Sequence, residues 1–288
     1  MKLLVFGNTG QVATELRALA GRGLAITALS RQAADLADPL ACTRAIAGTE
    51  ADAVINAAAF TGVDRAETHA AEAMAVNAIA PGAMARACAK RGLPLLHLST
   101  DYVFDGTKQD PWREDDPTGP LGVYGQSKRA GEEAITAAGG KHVILRTAWV
   151  FSGTGANFVK TMLRAGAARG RLAVVDDQRG CPTPAADIAR ALVSIARAFH
   201  AGRGVPGTFH FAGAPTTTWC GLAREIFRQT GQGPEIRPIA TADWPTPARR
   251  PANSVLDCTK IREVYGLAQP DWRAGLRTVL ADLREVAA

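Results

Sequence analysis

The sequence predicts an α/β fold, a doubly wound parallel sheet with helices on both faces and a smaller C-terminal lobe. Three observations predict it. Short apolar runs alternate with helical stretches over about the first 200 of the 288 residues, a pattern that implies right-handed crossovers between parallel strands. The first apolar run leads at once into a glycine turn and a helical stretch. After Gly202 the texture changes to short strands, a Pro-rich segment and separate helical pieces.

Each element follows from its local pattern. Lys2–Phe6 (KLLVF) has the length of a fully buried strand. Gly7-Asn8-Thr9-Gly10-Gln11-Val12-Ala13 follows, and Thr14–Ala20 reads as helix. In that setting glycines let the backbone approach a pyrophosphate, which sits at the positive helix N-terminus. The spacing is G-x-x-G-x-x-A, and the small Ala13 still permits close packing of helix on strand. The pattern predicts a Rossmann-like dinucleotide site. Further strands are expected at Ala25–Leu29, Ala53–Asn56, Leu95–Ser99, Val143–Arg146 and Leu172–Val175. Helices are expected at Leu40–Ala47, Ala70–Arg91, Ser127–Ala138 and Asn157–Arg169, with Ala185–Ala198 packing back on the sheet. Beyond lie a short strand at Thr208–Phe211, a helix from Trp219, the Pro-rich Pro234–Pro251, and helical pieces at Thr259–Tyr265 and Trp272–Val286. Residues 1–170 are thus read as a nucleotide-binding domain and 171–288 mainly as a lobe covering substrate.

Composition narrows the classes. No stretch approaches the 18 or so consecutive apolar residues of a membrane span. A strand begins at residue 2, which leaves no room for a signal peptide and points to a cytoplasmic protein. Five scattered cysteines, odd in number and without a C-x-x-C, suit reduced thiols. The five histidines are equally dispersed, and no metal is predicted. The net charge of +6 is spread along the chain, which argues against a nucleic-acid groove and suits an anionic small substrate.

The chemistry is carried by Tyr124 and Lys128, four residues apart in VYGQSK, a spacing that puts both on one face of a helix. A nearby ammonium lowers the pKa of a phenol, so the pair can exchange a proton with a substrate alcohol or ketone. Three more segments fall at C-terminal strand ends, where open α/β sheets bind ligands. Asn56-Ala57-Ala58-Ala59 offers small residues against which a cofactor can lie. Ser99-Thr100-Asp101-Tyr102 brings the Thr100 hydroxyl beside Tyr124, so that two donors converge on one carbonyl oxygen. Arg146-Thr147-Ala148-Trp149 places an aromatic plane at the rim.

Taken together, these segments resemble the extended short-chain dehydrogenase/reductase family, and within it the enzymes that reduce nucleotide-linked 4-keto sugars. The matching stretches run from Gly7-Asn8-Thr9-Gly10-Gln11-Val12 through STDYVFDG, VYGQSK and RTAWVF to Asn157-Phe158, Asp177-Gln178 and the late Arg250-Pro251-Ala252-Asn253-Ser254. The resemblance implies NAD(P)H-dependent reduction of the 4-keto group of a dTDP-linked 6-deoxyhexose, giving dTDP-L-rhamnose. It implies Thr100, Tyr124 and Lys128 as the catalytic set. Gly10, Gln11 and Val12 would meet the pyrophosphate, Asp35 and Leu36 the adenine, and Ala59, Phe60 and Thr61 the ribose and nicotinamide side, with Gly7, Ala57 and Ala58 also in the cofactor site and Lys128 reaching the ribose hydroxyls. Thr100, Asp101 and Trp149 would meet the sugar nucleotide, and a homodimer is possible.

Some positions depart from the family pattern. Ser30-Arg31 stands at the end of the second strand, where relatives often carry an acidic residue for the ribose of NAD. A guanidinium there favours NADPH, with NADH still possible. Phe60 stands where relatives can have histidine, and Glu15 alone does not make a metal site. Two rival readings stand beside the reductase. One is a 4,6-dehydratase or 4-epimerase of the same fold, although Tyr102 occupies the place of the dehydratase glutamate. The other is a non-catalytic NADP-binding regulatory subunit, which would have no need of Thr100, Tyr124 and Lys128 together.

Overall fold

The computed structural model describes residues 1–287. Its first half runs β1 (Lys2–Phe6), α1 (Gln11–Ala18), β2 (Ala25–Leu29), α2 (Pro39–Ala47), β3 (Ala53–Asn56), α3 (Val63–Ala66), α4 (Ala70–Met74), α5 (Ala80–Arg91), β4 (Leu95–Thr100), α6 (Val123–Ala137) and β5 (His142–Thr147). The second half runs β6 (Val150–Phe151), α7 (Phe158–Ala168), β7 (Arg171–Val175), β8 (Arg179–Gly180), β9 (Thr183–Pro184), α8 (Ala185–His200), β10 (Gly207–His210), β11 (Thr217–Thr218), α9 (Trp219–Thr230), β12 (Glu235–Ile239), α10 (Thr259–Tyr265) and α11 (Trp272–Ala287).

Six strands form one parallel sheet in the order β10-β5-β4-β3-β1-β2. Successive strand residues point to opposite faces, and two cores result. Leu3, Val5, Ile55, Leu96 and Leu145 pack with Leu16 of α1 and with Ile188 and Leu192 of α8. Leu4, Phe6, Val54, Leu95 and Ile144 pack with Ile46 of α2, Met84 of α5 and Ile135 of α6. The strand order reverses between β1 and β3, which makes their C-terminal ends the switch point where such sheets bind ligands.

Four local expectations are corrected. The strand at 171–175 does not extend the main sheet; it pairs with β12 in a separate two-stranded sheet. Its alternating burial is that of a strand with one covered face, and β10 takes the place beside β5. Helix α7 joins the same side of the molecule, packing with α9 through Val159, Leu222 and Ile226. The helix expected over 70–91 is interrupted by a π-turn at Ala75–Ile79. Pro81 cannot donate to the carbonyl four residues back, that of Asn77, and the wider turn accommodates the loss. Finally, α1 and α6 each begin a turn earlier than their patterns suggest, at Gln11 and Val123.

Candidate active site

The glycine loop sits at the switch point. Gly7 has φ +110° and lies against the backbone of Ala57, so a side chain there would be strained in torsion and crowded as well. The Gly7 N–H donates to Leu29 O and the Ala57 N–H to Phe6 O, which locks the loop between β2 and β3. Helix α1 starts at Gln11 with Gly10 as a cap that contributes no side-chain bond. The first N–H groups of the helix are therefore free of a capping side chain, at the positive end of its dipole.

Gln11 and Val12 contribute only backbone to this loop. The Val12 side chain is buried in the core. Gln11 Oε1 accepts from Ser152 Oγ (3.1 Å) and Asn157 Nδ2 (2.9 Å), tying the loop to the N-cap of α7.

Beyond β2 and β3 a cavity of about 320 Å³ is lined by Arg31, Ala59, Phe60, Thr61, Gly62, Arg65 and Val76. Arg31 is exposed and 3.8 Å from Asp35, an exposed pair of little energetic weight. Ser30 and Asp35 stabilise turns, accepting from the Ala33 and Ala37 N–H groups, and Leu36 is buried in the core. Arg65, which sequence reasoning missed, stacks over the Phe60 ring at 4.4 Å and brings a second cation to the cavity. It lies outside any glycine-loop pattern, so no local signal marked it. Phe60 is fixed by Asn77 of the π-turn, whose Oδ1 accepts from the Phe60 N–H (2.8 Å) while its Nδ2 donates to Phe60 O (3.0 Å) and Ser127 Oγ (3.0 Å).

The catalytic candidates meet at the end of β4. The Thr100 hydroxyl donates to Asp101 Oδ1 (3.0 Å) and accepts from the Tyr102 N–H (3.2 Å). Helix α6 brings Tyr124 alongside, its start held by Glu67, which accepts from the Val123 N–H (2.9 Å). Gly125 lets this turn press against the Tyr102 carbonyl, where any side chain would collide. The Tyr124 ring meets Tyr102 edge to face, with centroids 5.9 Å apart. Burial pushes the Tyr124 phenol up to about 12, with a hydrogen bond to Thr100 acting in the opposite direction.

Lys128 is 2% exposed. Its Nζ donates to Leu98 O (2.7 Å) and lies 3.1 Å from His97 Nε2. Burial lowers its pKa to about 8, with Glu132 opposing. The expectation that Lys128 lowers the phenol is thus not met: the buried ammonium is itself disfavoured, and its contacts lie toward β4. His97 is the second residue that sequence reasoning missed. A histidine inside the buried strand Leu95–Thr100 needs a partner, which was the available signal.

Asp101 is 2% exposed, and its Oδ2 has no hydrogen-bond partner. Burial raises its carboxyl to about 7 against hydrogen bonds from Ser254 and Thr100. Ser99 Oγ and Thr147 Oγ1, on adjacent strand ends, are also buried without partners. Trp149 has φ 47°, a left-handed conformation that is uncommon and costly for a bulky residue. Its ring stacks on Trp219 at 3.5 Å, and Gly180 leaves room for the indole edge. Trp219 Nε1 donates to Gln178 Oε1 (3.1 Å), so the pair is anchored in the second half of the chain. Arg250 clasps Asp64 through two 2.8 Å bonds and closes the site from the C-terminal segment. Among the described residues no group of three or more His, Cys, Asp and Glu is placed to hold a metal ion. None of their helices is long and apolar enough to cross a membrane.

A glycine loop at the switch point of a parallel sheet, with a Tyr-x-x-x-Lys helix beside it, defines a short-chain dehydrogenase/reductase-like protein. The family model described as RmlD substrate binding domain matches residues 1–285, and the chain belongs to that family. A protein of Sinorhizobium fredii (strain NBRC 101917 / NGR234) named dTDP-4-dehydrorhamnose reductase is 43% identical over 286 residues, 97% of each chain. The solved structure of a dTDP-4-dehydrorhamnose reductase from Clostridium acetobutylicum matches with a TM-score of 0.92 at 35% identity, covering 99% of this chain and 100% of that one. One from Bacillus anthracis in complex with NADP matches with a TM-score of 0.91 at 29% identity, covering 98% and 99%.

Proposed function

We propose that this protein reduces the 4-keto group of dTDP-4-dehydro-L-rhamnose to give dTDP-L-rhamnose, with NADPH as reductant. The observation that carries the reading is the approach of Tyr124 to Thr100 at the end of β4, with the buried Lys128 one turn along α6 from Tyr124. The residues present fit the cofactor: Gly7 and Ala57 form a cradle that a side chain would fill, and Arg31 and Arg65 flank a cavity suited to phosphate. When bound, the nicotinamide supplies the hydride.

The chain's own residues supply the rest. The α1 N-terminus and the glycine backbone hold the diphosphate, and Arg31 and Arg65 favour a 2′-phosphate. Thr100 and Tyr124 orient the keto oxygen, and Tyr124 gives up its proton as negative charge develops there. Asp101, Ser99 and Thr147 offer polar atoms to the sugar, with Trp149 as an apolar wall. We take the protein to act in the cytoplasm as a homodimer.

The test is turnover by the purified protein, followed as NADPH consumption with chromatographic identification of the sugar nucleotide. Reduction of dTDP-4-dehydro-L-rhamnose is expected. Cofactor binding without turnover on any 4-keto sugar nucleotide would overturn the reading in favour of a regulatory role.

A further inference from the structure

The contacts of His97 impose a constraint on Lys128. Asn56 Oδ1 accepts from the Ala58 N–H (3.2 Å), which turns the Asn56 amide nitrogen toward His97 Nδ1 at 3.1 Å. An amide nitrogen only donates, so Nδ1 must be the accepting nitrogen of the ring. The histidine is fully buried, and burial and Lys128 both hold it neutral, so its single ring proton lies on Nε2. That N–H points at Lys128 Nζ, 3.1 Å away. An ammonium has no lone pair with which to accept it, whereas an amine accepts it and still donates to Leu98 O.

The network therefore closes around the amine and leaves one donor facing another around the ammonium. Reversing the Asn56 amide only moves the conflict, because its nitrogen would then face the Ala58 N–H. Other charged groups near Lys128 do not resolve it. Glu132, one turn along α6, accepts from Nε and Nη2 of the buried Arg146 on β5 (2.9 and 2.7 Å). From the π-turn, the uncharged Asn77 reaches Ser127.

We propose that His97, held in its Nε2–H tautomer by Asn56, is a positioning residue for the reduction: it stabilises the amine form of Lys128 and so makes the lysine a readier source of the proton that restores Tyr124 after each turnover. The inference rests on the assignment of Tyr124 and Lys128 made above. The Tyr124 O–H bond breaks as the product hydroxyl forms, leaving a phenolate. A Lys128 N–H bond then breaks as an intervening water takes that proton and passes its own to the Tyr124 oxygen, restoring the Tyr124 O–H. The lone pair left on Nζ accepts from His97 Nε2–H, and a solvent proton later returns the amine to the ammonium. Delivery thus relieves the donor–donor conflict.

The sharpest perturbation is Asn56→Asp, which keeps the shape of the side chain. The carboxylate accepts from the Ala58 N–H with one oxygen and from His97 Nδ1–H with the other, inverting the tautomer. His97 Nε2 then accepts from the ammonium. Two readouts are independent of turnover: the His97 tautomer from imidazole nitrogen NMR, and the titration of Lys128 in protein labelled at the lysine ε-carbon. The wild type should show the Nε2–H tautomer and a Lys128 midpoint near 8. In Asn56→Asp the tautomer should invert and the Lys128 midpoint should rise by at least about one to two pH units, since an unmet buried donor is worth about 1–3 kcal/mol and the new carboxylate adds to the rise, so the uncharged His97→Gln isolates the donor effect.

The reduction needs the ammonium, so activity is lost as pH rises through the Lys128 midpoint, and the basic limb of kcat should move up by the same amount. At neutral pH kcat should fall roughly three- to tenfold, the ammonium having become a weaker acid. His97→Gln, whose amide oxygen can accept from Nζ, should shift Lys128 in the same direction and serves as the second variant if the first does not fold. An Nδ1–H tautomer in the wild type would overturn the proposal, as would an unmoved Lys128 titration in folded variants. Wild-type protein that shows the expected tautomer and titration but turns over no sugar nucleotide would refute the functional reading alone.

Discussion

Replacing Tyr124 with phenylalanine removes the proposed acid and almost nothing else. The ring is half-buried, and its edge-to-face contact with Tyr102 (5.9 Å, 76°) does not need the hydroxyl. Thr100 keeps its bonds to Asp101 and to the Tyr102 N–H, so no buried group is orphaned by the change. The cost to stability should stay within about 1 kcal/mol, the net worth of one hydrogen bond. The cost to turnover should be far larger. A positioned general acid contributes about 10²–10⁴ in rate, or about 3–5 kcal/mol at 1.36 kcal/mol per decade. The assay is kcat/KM from NADPH consumption, alongside a thermal melt and a fluorescence titration with NADPH. A variant that melts with wild type, binds NADPH and has lost at least a hundredfold in rate supports the assignment. A rate within about threefold of wild type would mean that the proton comes from Thr100 or water, and the role given to Tyr124 would be withdrawn. A collapse of the melting temperature would refute the packing argument instead.

The other predictions concern recognition and stability. Arg31→Ala should weaken NADPH and leave NADH nearly unchanged, because only the former offers a 2′-phosphate to the guanidinium; titrations with both cofactors decide it, and equal losses would move Arg31 out of the cofactor site. Trp149→Ala should impair use of the sugar nucleotide more than cofactor binding, and a loss confined to NADPH affinity would show that the indole faces the other ligand. Asp101→Asn tests linkage. Burial raises the Asp101 carboxyl to about 7 from an ordinary 3.8, so the folded chain keeps a proton that the unfolded chain has released in that window. Its contribution to stability is full below about pH 4 and is lost as pH rises to about 7, falling by about 1.4 kcal/mol for each pH unit crossed. Chemical denaturation at several pH values should show that slope in wild type and a flatter profile in the asparagine variant; equal slopes would contradict the buried acid.

Much of this site was legible because its chemistry is local in sequence. The glycines after β1, the Tyr124–Lys128 spacing on α6 and Thr100 at the end of β4 each combine a residue type with a strand or helix boundary, and such pairings survive reading in one dimension. The position of Leu172–Val175 did not, because an apolar run this short cannot say which sheet it joins. That outcome was set by β10 and β12, which lie much further along the chain. The start of α6 was misjudged for a similar reason, since its cap is Glu67 rather than a neighbour. His97 and Trp219 escaped because what they touch is distant in sequence, Lys128 and Asn56 for the first and the Trp149 ring for the second; Arg65 is only five residues from Phe60, but the cavity it shares with Arg31 exists only in the fold. The electrostatic relation of Tyr124 to Lys128 was misread because a helical spacing gives a shared face, not the burial and partners that decide a proton affinity.

The unsatisfied groups mark the site independently of any motif. Among the described residues four buried side-chain atoms lack a hydrogen-bond partner, and three of them, Ser99 Oγ, Asp101 Oδ2 and Thr147 Oγ1, sit at the C-terminal ends of β4 and β5. Each such group costs about 1–3 kcal/mol, which a fold ordinarily avoids by pairing or exposing it. The strained backbone of Trp149 adds about 1–3 kcal/mol just beyond the end of β5. Deeper in the sheet and in the helices packed on it the opposite holds: Asn56, Asn77, His97, Glu132 and Arg146 are all buried and all paired. The polar groups below the strand ends are thus paired and those at the strand ends are not, the pattern expected where unpaired polarity is kept for a ligand. This division explains why Asp101→Asn should stabilise the protein at alkaline pH and still impair substrate use, a trade-off expected where unpaired polarity serves binding rather than folding.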